Sequence, residues 1–259
     1  MFKKCDVWTT VYKPLNKIDR FANDQSGTKE YKFNSLGFRG EEYNSRAKKK
    51  IFVIGDSETF GLGLNIEEAW PYRFKEKYAK KYSYKIKSVN VMNFGVAAVS
   101  NDFIARTILS QCKRVKPDLL IVLFTYVDRT EYVKGKIVNM IHPWLKFEAS
   151  IDYYIYYTEE LGFINFLKNL LLVQYFCKLY HLNYIFSALE YKELNHRRIR
   201  SNAAIKSLIK LVDKRYFCDF TLGDEDVAAD GHHSGPKSHD IFANKLMKFY
   251  AENFPFDEK

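Results

Sequence analysis

Residues 51–61 read Ile51-Phe52-Val53-Ile54-Gly55-Asp56-Ser57-Glu58-Thr59-Phe60-Gly61. Four apolar residues in strand-forming order run directly into a glycine, which predicts a buried strand over 51–55 closed by a tight turn. Ser57 sits on that turn. In α/β proteins the carboxyl ends of parallel strands are where ligands are gripped and nucleophiles presented, so this serine is a candidate for either role. Asp56 beside it suits turn stabilisation better than acid catalysis.

Working outward, Asp118-Leu-Leu-Ile-Val-Leu-Phe-Thr125 is apolar on both faces, as a central parallel strand requires. Residues 84–94 and Tyr184–Leu189 read as further strands. Helical spacing predicts helices over 67–81, from a Ser100 cap to about 114, over 163–181, over 202–214, and from Ser234-Gly235-Pro236 to about 253. Strands alternating with helices imply right-handed crossovers, hence a parallel sheet covered on both faces. Ser57, the turn Gly95–Ala98 and the block Thr125–Asp128 then fall at strand ends on one edge. Residues 126–157 lack a clear period, and the bend His142-Pro143-Trp144 fits a lid or pocket wall. Residues 1–45 are expected to form an N-terminal arm packed on a main domain of residues 46–259.

The 259 residues include 47% hydrophobic and 17% aromatic side chains, which excludes global disorder. The net charge of +10 comes from 41 Lys and Arg against 31 Asp and Glu. The basic residues cluster only modestly, at Arg46–Lys50 and His196–Arg200, and form no stripe. They read as a solvated surface, and no specific nucleic-acid partner is expected. Cys5, Cys112, Cys177 and Cys218 lie far apart without metal-ligand spacing, which suits a reducing compartment. The N-terminus lacks a leader's apolar stretch and no run is long enough to span a bilayer, so the expected setting is cytoplasmic. The glycines of residues 55–63 match neither a phosphate-binding loop nor a dinucleotide fingerprint, and neither a metal nor another cofactor is expected. Asp224-Glu225-Asp226 reads as a solvated loop.

A serine becomes a good nucleophile when a histidine takes its proton and a carboxylate orients that histidine. Asp230-Gly231-His232-His233 supplies both groups in one loop before the last helix. Asp230 and His233 are three apart, which lets carboxylate and imidazole meet across a tight turn; His232 is the weaker candidate.

Gly55-Asp56-Ser57, Asn93–Ala98, the block after Phe124 and Asp230-x-x-His233 together resemble the SGNH, or GDSL-type, hydrolases over about residues 34–252. The lead-in Asn34-Ser-Leu-Gly-Phe-Arg-Gly40 and the segment His233–His239 are similar to the family's too. The resemblance implies a three-layer α/β/α sandwich with a flavodoxin-like central parallel sheet, and ester hydrolysis through an acyl-enzyme. Ser57 would be the nucleophile, His233 the general base and then acid, and Asp230 its orienter. The family draws oxyanion donors from the serine N–H, the N–H of a glycine after the second strand, and an asparagine side chain after the third.

Here Ala98 stands at the glycine's register, with Gly95 three residues earlier, and Val127 stands where the asparagine is expected. Arg129-Thr-Glu131 fits a variant third block, so Arg129, Asp128 and Asn101 are candidates for substrate binding; a plain Arg129–Glu131 ion pair is the competing reading. The expected activity is removal of a small acyl group, such as acetyl, from a carbohydrate or other polar ester. An acyltransferase or thioesterase of the same fold, and a catalytically degenerate polyanion- or carbohydrate-binding module, are the alternatives.

Overall fold

A computed structural model describes residues 21–23, 29–134, 137–144, 146, 148–190, 194 and 202–254. Cys5, most of the expected arm and the basic cluster at 196–200 lie outside the described residues. The elements are β1 (Phe21–Asn23), β2 (Glu30–Lys32), β3 (Lys49–Ile54), α1 (Ser57–Phe60), α2 (Trp70–Lys81), β4 (Val89–Asn93), α3 (Asn101–Cys112), β5 (Leu119–Phe124), β6 (Thr130–Lys134), β7 (Ile137–Ile141), α4 (Glu148–Tyr156), α5 (Glu159–Leu179), β8 (Tyr184–Ala188), α6 (Ala203–Ile209) and α7 (Pro236–Asn253).

Four strands form the central sheet in the order β4-β3-β5-β8, every pair parallel. Each strand is apolar on both sides because each side meets a helical layer. Phe52, Ile54, Val122 and Phe124 point into a core shared with α3 and α5, while Ile51, Val53, Ile121 and Leu123 point into one shared with α2 and α7. This is a three-layer α/β/α sandwich. Beside β8, where a flavodoxin-like order would add a fifth strand, the described residues make one parallel bridge, Phe186 to Phe217. The chain order reverses between β3 and β5, so the topological switch point lies between Gly55-Asp56-Ser57 and Thr125.

Local chemistry moved several expected boundaries. Asn65 and Glu68 cap a 3₁₀ turn at Ile66–Glu68, and α2 starts only at Trp70, with Pro71 in its first turn. A 3₁₀ turn at Ile86–Ser88 delays β4 to Val89. Within 126–157, Thr130–Lys134 and Ile137–Ile141 pair as an antiparallel hairpin, and α4 follows. Thr158 caps α5 by accepting from Leu161 N.

The lead-in to β3 is woven into this body. Tyr31, Phe33 and Phe38 sit in the same core as Phe60 and Phe94. Arg39, 1% exposed, donates to the carbonyls of Phe60, Gly61 and Leu64 at 2.9, 2.5 and 2.7 Å. Phe60 ends α1 and Gly61 is its C-cap, so the guanidinium sits at the helix end where a cation is favoured, and Leu64 lies in the turn beyond. Cys112, Cys177 and Cys218 are free and buried. Among the described residues no helix is long and apolar enough to cross a membrane.

Candidate active site

Ser57 opens α1 and is 7% exposed. Asp56 caps this one-turn helix by accepting from Glu58 N at 3.0 Å through Oδ1. Its other oxygen takes the Thr125 hydroxyl at 2.6 Å and the Arg129 guanidinium at 3.0 Å. Asp56 is therefore a structural knot between the β3 and β5 ends, as its place in the turn suggested. Arg129, 6% exposed, does not pair with Glu131, because Glu131 is held by Arg106 at 2.7 Å. Above Asp56 the guanidinium lies 4.6 Å from the Tyr126 ring centroid and 5.1 Å from that of Trp144. Both rings are partly exposed at the site edge.

After β4, Asn93 donates to Thr59 O and accepts from Gly95 N, both at 2.8 Å. A Cβ at residue 95 would lie 2.5 Å from Phe60 N, so glycine is required for this close approach to α1. The Gly95 N–H is committed to Asn93 and faces away from an oxyanion role. Ala98 has φ of 63°, the left-handed conformation that glycine adopts without strain. Position 98 thus takes a backbone shape suited to glycine with alanine in place.

Asn101 latches the third block, accepting from Thr125 N at 2.9 Å and donating to Thr125 O at 3.0 Å. Both ends of its amide serve the scaffold. Val127 turns its side chain into the core, and its N–H is held by Glu190 at 3.0 Å. Position 127 thus contributes neither side chain nor amide to an oxyanion. Asp128 accepts from the Tyr154 hydroxyl through its carbonyl at 2.6 Å, and burial raises its carboxyl pKa against the opposing pull of Arg129. The structure brings Asp128 and Arg129 to the switch point and places Asn101 beneath it.

The histidine loop closes on the nucleophile turn from the other side. Gly231, with φ of 75°, lets the chain reverse, and the Val227–Ser234 bridge clasps the loop's base. Asp230 Oδ1 accepts from the N–H groups of His232 and His233 at 3.1 Å, and Oδ2 lies 2.6 Å from His233 Nδ1. Burial works to raise the Asp230 pKa, but these N–H groups and the imidazole outweigh it and hold the carboxyl below its ordinary value. His233 is partly buried and His232 is exposed. Ala229 N donates to Gly63 O at 3.2 Å, and a Cβ at Gly63 would lie 2.9 Å from Asp230 Cγ. The loop therefore packs directly against the segment that follows Ser57.

Two further residues hold this loop, and neither was marked by the sequence. Asp226 accepts from Lys237 N and from Ser238 N and Oγ, capping α7 where Gly235 has no side chain to do so. Far from being solvated, it fixes the loop's exit. Glu58, next to Ser57, accepts from Ser234 N at 3.3 Å. No local pattern flags a contact between residues 176 apart in sequence.

Among solved structures, the chain is similar to TesA (TM-score 0.50, 12% identity), the match covering 80% of this chain and 100% of that one. It is also similar to a carbohydrate acetylesterase family member from Sinorhizobium meliloti (0.46, 10%, 80% and 100%). A third is a lipolytic protein assigned to the G-D-S-L family from Desulfitobacterium hafniense DCB-2 (0.42, 12%, 78% and 99%). The first of these shows a shared fold. No protein-family model matches the chain, and no curated protein does.

Proposed function

We propose that the chain is a serine esterase that removes a small acyl group, of the acetyl class, from a carbohydrate or other polar ester. The observation that carries this reading is the 2.6 Å contact of His233 Nδ1 with Asp230 Oδ2, on a loop pinned to the nucleophile turn. With Nδ1–H donated to Asp230, Nε2 is the basic nitrogen and takes the Ser57 proton as Oγ attacks the ester carbonyl. His233 then protonates the leaving alcohol, and water, activated by the same imidazole, releases the acid and regenerates Ser57. The N–H of Ser57, which has no intrahelical partner in the first turn of α1, and that of Ala98 stabilise the oxyanion. Tyr126 and Trp144 at the rim favour a polar, ring-shaped alcohol over a long acyl chain.

Val127 favours a second reading, a binding module of the same fold that has lost turnover, since one missing oxyanion donor costs about 10²- to 10³-fold in rate. Fluorophosphonate labelling separates the two. Adduct on Ser57, lost in Ser57→Ala, together with hydrolysis of a short-chain aryl acetate, supports the esterase. His233→Ala should then lower kcat/KM by about 10³-fold or more and His232→Ala only slightly. Labelling that survives Ser57→Ala sinks the assignment.

A further inference from the structure

Glu58 has a place in the site that the triad alone does not use. Its Oε1 accepts from Ser234 N at 3.3 Å, one residue beyond His233, and its Oε2 faces His239 Nε2 at 3.5 Å. His239 is fully buried, and its Nδ1 accepts from Trp70 N at 2.9 Å. That backbone N–H fixes the tautomer: the ring proton must be on Nε2, which stands near Glu58 Oε2 without a hydrogen bond between them. One carboxylate on the residue after Ser57 thus accepts a hydrogen bond from the histidine loop through Oε1 and presents Oε2 to a buried imidazole N–H of α7, the helix that the loop leads into.

We propose that Glu58 is a positioning residue that holds the His233 loop in register with Ser57, with the buried His239 imidazole N–H favouring a carboxylate over an amide at that place. This rests on the esterase reading for its catalytic consequence. The linkage runs from Ser57 through its neighbour's carboxylate to Ser234, so that the base's backbone is tied to the nucleophile's own helix. The chemistry requires a carboxylate. Glutamine has one acceptor oxygen, so Glu58→Gln can keep the Ser234 N–H bond only by turning its NH₂ group towards the His239 Nε2–H. His239 cannot relieve the clash by changing tautomer, because Trp70 N–H occupies Nδ1. A glutamate acting only as filler would be replaced by glutamine without consequence.

The test compares the intact chain with Glu58→Gln, Glu58→Ala and Ser57→Ala. Thermal melting confirms folding, and the isosteric glutamine variant serves if alanine does not fold. With an aryl acetate, both Glu58 variants should lose about tenfold or more in kcat while KM stays within about twofold. Backbone hydrogen exchange is measured in parallel and does not depend on turnover. Amides of residues 226–235 should exchange faster in both variants, with the central strands unchanged. Wild-type kcat and unaltered loop exchange in Glu58→Gln would overturn the inference even if Ser57→Ala is inactive. If wild type neither labels nor turns over, the esterase reading fails, and loop exchange alone decides whether Glu58 holds the loop.

Discussion

Arg129 Nη1 lies 3.0 Å from Asp56 Oδ2, and both side chains are almost fully enclosed, at 6% and 1% exposure. The pair spans the topological switch point, joining the turn that carries Ser57 to the end of β5. Thr125 Oγ1 completes it, donating to Asp56 and receiving Arg129 Nη1 at 3.0 Å. A charge buried this deeply depends on its partner, because water is not there to replace it.

Removing Arg129 should therefore cost far more than a surface charge would. Arg129→Ala leaves the Asp56 carboxylate buried without its cation, an expected loss of about 3–5 kcal/mol. For a chain of this size that lowers Tm by about 10 °C. Arg129→Lys keeps the charge but loses the planar fork and should fall between. Differential scanning calorimetry measures both; a melting point for Arg129→Ala within a degree of wild type would show that the pair contributes nothing.

Ala98 holds a left-handed backbone at φ of 63°. For a residue with a Cβ this costs about 1–2 kcal/mol, whereas glycine is unstrained there but gives up about 0.5–1 kcal/mol of backbone entropy on folding. Ala98→Gly should be stabilising by about 0.5–1 kcal/mol. Ala98→Val, branched at Cβ, should be destabilising. Urea unfolding reads both changes, and a Gly variant less stable than wild type contradicts the strain argument.

His142 and Asp230 set how stability falls in acid. Burial, with help from Arg129, lowers the His142 pKa from 6.5 to about 4. The unfolded chain therefore takes up this proton first, and stability declines as pH falls from 6.5 towards 4. The Asp230 carboxyl, held below its ordinary 3.8, adds stability above that value and loses it as pH falls through the lowered pKa. His142→Phe should flatten the upper part of the decline and leave the lower part in place. Urea midpoints at pH 7, 5 and 3 test this; a variant whose midpoint drops as steeply as wild type between pH 7 and 5 rules out His142 as the cause.

Much of the fold was legible because it depends on local pattern. Leu119–Phe124 is apolar on both faces, which only a doubly covered strand can be, and Gly235-Pro236 marks the start of α7 through backbone chemistry alone. The hairpin β6–β7 was missed because Thr130–Lys134 mixes polar and apolar residues, and its pairing with β7 is a tertiary fact. The Asp230–His233 contact was readable from a spacing of three residues. The roles of Arg129, Asn101 and Glu58 were not, and Asp56 was legible only as a turn residue, since each is defined by a partner in another strand end or loop. Val127 shows the limit most clearly: its misfit to the family's third block was visible in sequence, but that its side chain serves the core and its N–H serves Glu190 was not.

The contacts of Arg39 also carry a consequence for the order in which the site can assemble. Arg39 reaches Phe60, Gly61 and Leu64 across 21 to 25 residues, whereas the Glu58–Ser234 contact spans 176. Chain-closure entropy alone makes the longer contact costlier by about 2 kcal/mol, and during synthesis its far end emerges last. The Ser57 half of the candidate site can thus be shaped while the histidine half is still being made. A chain that begins after Arg39 would lose the early half, and one that stops before Asp226 would lose only the late one.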